Sequence, residues 1–346
     1  MGLWFNRLIR AFLPIRTSDT QSGVIALKRD AAFTIFSLVT SKDFLALIEV
    51  RLVAQTHGLR IVDLPFKLIL SREKTIARMG REALSILRGI PLLAKRYRHG
   101  AYIPLNWKSL EAEVTADDWG ISPGVNRGTL TLAQKGIVKR VSVMSCAKFA
   151  KEGLEDLKKI SGIQIGLHLN LTFGGSSPGR LFFRWIFGGR KKLKSDARLA
   201  LESQLAMLKS FGIKPTHLDG HHHIHLLPGL MTACQDILKK YEIRCLRVPL
   251  DYSLFVTTRF PLVILSLLAR SEYRRLGFET LPCFYPPLRD FEDPGMLRAA
   301  LQRNSKKEII VHPSQVDDSH LFEHPDPYTF QRTIEYKALS MLESLS

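Results

Sequence analysis

Residues 138–171 read VKRVSVMSCAKFAKEGLEDLKKISGIQIGLHLNL. The pattern changes twice: Val138 to Ser145 is a short apolar run, Ala147 to Ile160 is amphipathic, and Ile163 to Leu171 is apolar again. Apolar spacing of this kind predicts a strand, a helix and a second strand. Two neighbouring strands joined by a helical crossover run in the same direction, so the unit predicts a parallel sheet. The alternation extends both ways. Upstream, Leu110 to Ala116 reads as a strand and Pro123 to Gln134 as a helix. Downstream come a helix at Ala197 to Phe211, a strand at Pro215 to Asp219 and a helix at Pro228 to Tyr241. Leu246 to Pro249, Leu262 to Leu276, Pro294 to Asn304 and Glu308 to His312 continue the series. The expected class is α/β, its parallel sheet either closed into a barrel or left open.

In such folds the loops after the strands share one face, so polar residues just past apolar runs deserve the most weight. Four runs end in groups suited to one task. Asp117 and Asp118 stand at the turn expected after the first strand, and His168 interrupts the apolar strand 163–171. The strand ending at Asp219 leads into Gly220-His221-His222-His223-Ile224-His225, and the last strand ends in His312. A divalent ion needs carboxylate oxygens or neutral imidazole nitrogens converging from separate parts of the chain. One Asp and two His would satisfy it. A second Asp, held off the ion, could take a proton from water, and a distant His could protonate a leaving group. The bland readings are an Asx turn for the Asp pair and a satisfied core ring for His168.

Composition sets the frame. The chain has 346 residues, 45% hydrophobic and 24% charged, which excludes disordered, collagenous and disulfide-scaffold classes. Cys146, Cys234, Cys245 and Cys283 form no CxxC pair, which suits reduced thiols in a cytoplasmic setting and gives them no zinc site. The net charge of +18 is uneven: residues 1–110 hold 18 Lys and Arg against 7 Asp and Glu. Anionic surfaces are the expected partners of such a segment. No apolar run reaches the length of roughly 18 to 20 residues that a spanning helix needs; the longest is Phe260 to Ala269. The first 14 residues, MGLWFNRLIRAFLP, suit a short amphipathic helix rather than a signal peptide. Leu3, Trp4, Leu8, Ile9 and Phe12 would face either an anionic membrane or the helix's own domain. A seam follows the basic helical stretch Thr75 to Arg98, at His99, Gly100, Pro104 and Asn106, and places a domain boundary near residue 108.

Residues from about 110 to 340 resemble the YdjC-like carbohydrate deacetylases, the group that includes chitooligosaccharide deacetylase and the hopanoid-associated HpnK proteins. The matching stretches are ADDWGISPGVNRG (116–128), GLHLNLT (166–172), KPTHLDGHHHIHLLPG (214–229), RVP (247–249) and VHPS (311–314). Pro261 to Phe278 is similar to the variable helical region of HpnK-type members. The resemblance implies a TIM-barrel-like fold and hydrolysis of an N-acetyl group from an amino sugar; the glycosyltransferase-like segment upstream adds a glycolipid as an alternative substrate. Carried over by position, it makes Asp118, His168 and His221 ligands of one divalent metal ion and Asp117 the general base. His312 becomes the acid and Arg247 a group that binds substrate or supports the site. Magnesium is the ion that the resemblance suggests, whereas two His and one Asp suit zinc on softness grounds. Thr115 stands where the family usually has Asn and Trp119 where Phe is common.

Residues 1–107 carry a second resemblance. DTQSGVIALKRDAA (19–32) and ALIEVRLVAQTHGLRIVDLPF (46–66) are similar to the C-terminal part of family 2 glycosyltransferases of the dolichol-phosphate-mannose synthase type. The nucleotide-binding half of such enzymes has no counterpart here, so this segment is expected to be a remnant that transfers no sugar unaided, or a module for acidic lipid. Two other classes compete with the enzyme: a basic module for membrane or nucleic acid, and an inactive fusion or truncation product. Nucleic acid is not expected as a partner, because no interleaved aromatic and basic strand and no basic helix-turn-helix pattern stands out.

Overall fold

Seven strands form one parallel sheet: β1 (Val114–Trp119), β2 (Arg140–Val143), β3 (Gln164–Leu169), β4 (His217–Gly220), β5 (Cys245–Leu246), β6 (Cys283–Phe284) and β7 (Glu308–Val311). Their order is β5-β4-β3-β2-β1-β7-β6. Isolated bridges Cys245–Glu279 and Val248–Pro282 tie the β5 edge to the chain entering β6, so the two edges meet and the sheet is TIM-barrel-like. β1, β4 and β7 are buried at every position, as expected of strands covered on both faces. This computed structural model describes residues 2–17, 24–63, 76–103, 113–172, 177–249, 260–280, 282–322 and 328–342.

The chain falls into two units, Met1–Trp107 with Arg289–Arg303 and Ser344–Ser346, and Lys108–Leu288 with Asn304–Glu343. The first contains helices α1 (Gly2–Phe12), α2 (Arg29–Phe36), α3 (Asp43–Thr56) and α4 (Ile76–Arg98). Its core gathers Ile9, Leu13, Ile35, Leu38, Ile48, Leu52 and Leu93. Ile9 of α1 and Leu13, just past its end, thus pack on their own unit, while Phe12 is 55% exposed. Leu3 and Trp4 have side chains outside the described residues. Arg96 is buried beside Glu49 at 2.7 Å and Asp293 at 3.0 Å, so one cation of this basic unit is neutralised internally. Among the described residues no helix is long and apolar enough to cross a membrane.

The barrel carries α5 (Pro123–Gln134), α6 (Leu154–Lys158), α7 (Pro178–Ile186), α8 (Arg190–Ser210), α9 (Leu230–Ala233), α10 (Gln235–Lys240) and α11 (Phe260–Arg275). α12 (Leu288–Phe291) and α13 (Pro294–Arg303) fall, from Arg289 on, in the first unit, and α14 (Thr329–Leu342) is the last helix of the second. α5 forms where the spacing predicts it, with Ser122 accepting from the Val125 amide as N-cap and Pro123 in the first turn.

Three expectations are corrected. The first strand is Val114–Trp119, so Asp117 and Asp118 lie within it rather than in a following turn; residues 110–112 are outside the described ones. The helix expected over 147–160 shrinks to α6, because the backbone before it is engaged elsewhere. Trp119 Nε1 donates to Ala150 O, Asn126 Nδ2 donates to the carbonyls of Phe149 and Glu152, and the Phe149 amide donates to Gly120 O. Those bonds hold the loop after β1 and are incompatible with an uninterrupted helix. The helix expected over 228–241 is two, α9 and α10, meeting at Cys234. α7, β6 and α14 were not expected at all.

Candidate metal centre

Consecutive strand residues normally point to opposite faces. β1 escapes this rule because its pairing with β2 shifts between Ala116 and Trp119, and Asp118 takes a left-handed φ of 66°. A non-glycine residue in that conformation is strained, and such strain gathers at functional sites. The result is that both carboxylates join one buried polar cluster.

Asp118 Oδ1 lies 3.1 Å from His168 Nε2 on β3 and 3.1 Å from His221 Nδ1, the first residue of the 3-10 turn His221–Leu226 after β4. Asp118, His168 and His221 therefore present three ligand atoms close enough to share one ion. Asp118 Oδ1 is buried and accepts no hydrogen bond, a costly state for a carboxylate oxygen unless a cation meets it. Its other oxygen is held at 2.5 Å by Arg332 on α14. Burial opposes ionisation of Asp118, but the guanidinium of Arg332 and the two imidazoles outweigh it and hold the carboxyl well below its usual range.

Parallel pairing sets His168 opposite Asp219, and the ring Nδ1 stands 2.5 Å from Asp219 Oδ1. Asp219 accepts the hydrogen bond of the ring Nδ1–H, so that in the neutral ring the Nε2 lone pair faces Asp118, the arrangement by which a metal-ligating histidine is oriented. Asp219 Oδ2 accepts from Ser142 Oγ at 2.6 Å and pairs with Arg247 at 2.7 Å. Burial opposes protonation of His168, but Asp219, Asp117 and Asp118 together raise it to about 10. The carboxylates thus draw positive charge to this point, whether a proton or a metal supplies it.

Arg247, just past β5, is only 2% exposed. It reaches Asp117 Oδ2 at 2.6 Å and Glu308 Oε1 at 3.0 Å as well as Asp219, and Thr115 Oγ1 donates to Glu308. A second trio, Asp117, His168 and Asp219, also comes within ligand distance of one point, but Arg247 already serves its two carboxylates. The four carboxylates Asp117, Asp118, Asp219 and Glu308 meet two guanidiniums, Arg247 and Arg332, leaving two negative charges when the imidazoles are neutral, as metal ligation requires. A divalent cation at Asp118, His168 and His221 would balance them, so the residues present fit such an ion.

Asp117 Oδ1 is buried without a hydrogen bond. Burial is the main effect on this carboxyl and exceeds the pull of Arg247, lifting it to about 6. His312, directly after β7, lies with Nε2 4.0 Å from Asp117 Oδ2 and stacks on Tyr328 at 4.9 Å. Its amide donates to Glu335, and burial pushes the ring down to about 3, so it is neutral.

All six residues singled out from the sequence, Asp117, Asp118, His168, His221, Arg247 and His312, therefore belong to one cluster. Of the His-rich segment only His221 joins the ligand trio. His225 is buried and donates Nε2–H to the Arg247 carbonyl at 3.0 Å, while Tyr273 Oη donates to the His225 carbonyl. His217 shares a proton with Ser142 Oγ at 3.2 Å. Sequence reasoning missed Asp219, Glu308, Ser142 and Arg332. Asp219 had a usable signal, a carboxylate two residues before His221, whereas nothing local marks Arg332.

Several curated carbohydrate deacetylases are similar to this chain. That of Thermoanaerobacter pseudethanolicus is 25% identical over 248 residues, covering 66% of this chain and 89% of the relative. That of Brevibacillus brevis is 27% identical, covering 66% of this chain and 91% of the relative. The human carbohydrate deacetylase is 32% identical over a shorter span, 40% of this chain and 48% of the relative. The family model of YdjC-like proteins matches residues 113–343, from the residue before β1 to the end of α14, and so takes in every residue of the cluster. By fold, site and family match, the chain belongs to the YdjC-like protein family.

Proposed function

We propose that this chain hydrolyses the N-acetyl amide of an amino sugar, giving acetate and a free amine, with one divalent metal ion held by Asp118, His168 and His221. The observation that carries the reading is Asp118 Oδ1, buried, unbonded and 3.1 Å from each of two imidazole nitrogens, in a chain similar to several curated carbohydrate deacetylases. A bound divalent ion supplies Lewis acidity toward water and toward the amide carbonyl. The ligand set suits zinc on softness grounds and the family resemblance favours magnesium.

The chain's own groups manage the proton. Asp117, lifted to about 6, is a stronger base than an ordinary carboxylate and takes a proton from the attacking water at its free Oδ1. Arg247 fixes the other oxygen of Asp117 and so its direction. The proton Asp117 takes returns to the departing amine nitrogen, with His312, 4.0 Å from Asp117 Oδ2, as the proposed acid on that path. Water thus contributes its OH to the acetyl carbon and its proton to nitrogen, and the groups return to their starting state. The 2% exposure of Arg247 supports a positioning role rather than contact with sugar. Residues 1–107, outside the matched span, are read as a basic segment resembling the C-terminal part of family 2 glycosyltransferases.

The test is acetate release from N-acetylglucosamine oligomers, with and without chelator. Asp118→Asn should retain the fold by circular dichroism and lose more than the roughly 10- to 100-fold that changes in outer partners cost. Wild-type turnover in both Asp118→Asn and the chelated enzyme would refute the assignment.

A further inference from the structure

α7 is unusual for a helix on the outside of a barrel. Leu181 buries its inner side and Trp185 Nε1 donates to the Pro228 carbonyl, yet Phe182, Phe183, Ile186 and Phe187 all remain exposed. Phe183 and Phe187, 60% and 68% exposed, lie with ring centroids 4.1 Å apart and form an exposed aromatic stripe. α11 repeats the pattern: Val263 and Tyr273 are buried while Ile264, Leu267 and Leu268 are exposed at helical spacing. Both helices pack against the turn His221–Leu226, which carries a candidate metal ligand. Both apolar stripes therefore lie on helices that touch the turn bearing that residue.

Charge says what covers them. Residues 173–195 contain six cations, Arg180, Arg184, Arg190, Lys191, Lys192 and Lys194, and no carboxylate. Arg180, Arg190, Lys191 and Lys192 are exposed, and Arg190 lies over the Trp185 ring at 4.5 Å. Exposed aromatics rimmed by cations match an anionic bilayer interface, where rings enter the acyl boundary and cations meet phosphates. Of the six, Arg184 pairs with Asp196 at 3.1 Å, and the exposed Arg180, Lys191 and Lys192 are left to meet lipid phosphates.

We propose that α7, supported by the exposed stripe of α11, docks this unit on an anionic lipid surface. The docking does not depend on the deacetylase reading. The full chain should co-sediment with vesicles of 30% phosphatidylglycerol in phosphatidylcholine and weakly with pure phosphatidylcholine. Phe183→Ser/Phe187→Ser should bind the anionic vesicles at least tenfold more weakly while releasing acetate from soluble N-acetylglucosamine oligomers at the wild-type rate. Equal sedimentation of wild type and double variant would overturn the proposal, as would no sedimentation of the wild type. Light scattering in the absence of lipid covers the remaining occupant: a wild-type dimer that the double variant abolishes, without vesicle binding, would assign the face to a second copy of the chain. Vesicle binding without acetate release from any substrate would refute the deacetylase reading and leave the docking surface standing.

Discussion

Replacing Asp219 by Asn tests the logic of the centre without touching a proposed ligand. Asp219 Oδ1 faces His168 Nδ1 at 2.5 Å, and Oδ2 faces two donors, Ser142 Oγ at 2.6 Å and Arg247 Nη2 at 2.7 Å. Asn has one acceptor end and one donor end, so either orientation fails. With its NH2 toward His168 the ring must accept at Nδ1 and carry its proton on Nε2, aimed at Asp118 Oδ1 and removing the lone pair a metal needs. With its NH2 toward Arg247, donors face donors in a buried site and the guanidinium loses one of its three carboxylates. Loss of a carboxylate behind a ligating histidine costs about 10- to 100-fold in metal affinity, or about 1.4 to 2.7 kcal/mol. Loss of one buried charged contact costs about 1.5 to 3 kcal/mol of stability. Calorimetric titration of chelator-stripped protein with Zn²⁺ and with Mg²⁺ measures the first, and urea unfolding of the stripped protein measures the second. Wild-type metal affinity in a folded Asp219→Asn variant would show that His168 is not oriented through Asp219 and would remove the main support for its role as a ligand.

Other consequences follow from the same cluster. Arg247→Met should destabilise the metal-free protein by about 3 to 5 kcal/mol in urea unfolding, because it leaves Asp117, Asp219 and Glu308 buried without their shared cation, whereas Arg247→Lys should recover part of the loss. Gly166→Ala would place a methyl 2.5 Å from the buried His217 ring, which hydrogen bonds with Ser142 and Thr216 leave no room to move; about 1 to 3 kcal/mol and a lower Tm are expected. Burial holds His217 and His225 at about 4 in the folded chain, against a usual value near 6.5. Between those limits the unfolded chain binds protons that the native one does not, so the stability they provide is full above pH 6.5 and is lost as pH falls toward 4. A Tm that stayed flat from pH 6.5 to 4.5 would contradict this.

The parallel fold was legible because apolar runs and helical spacing are local properties of sequence. Errors arose where tertiary bonds override local preference. Residues 147–153 have helical spacing, but their carbonyls and amides hold Trp119, Gly120 and Asn126 in place. β6 is two residues long and exists through pairing with β7, so no pattern in its own sequence marks it. Asp117, Asp118, His168, His221 and His312 stood out because polar residues at strand ends are conspicuous, and the arrangement of motifs supplied their grouping.

The sequence alone determined the residue types on offer: carboxylates and imidazoles placed where a parallel sheet gathers its loops, on a chain with a large excess of cations. Only the tertiary structure decided how they are used. It put a left-handed bend at Asp118, set Asp219 behind His168, brought Arg332 across from the last helix, and left one imidazole of the His-rich run beside Asp118 while burying His217 and His225 as struts. The physical reason is that ligand geometry and buried charge balance depend on distances of a few ångströms between residues as far apart in sequence as Asp118 and Arg332, and those distances are properties of the closed sheet and the helices packed on it.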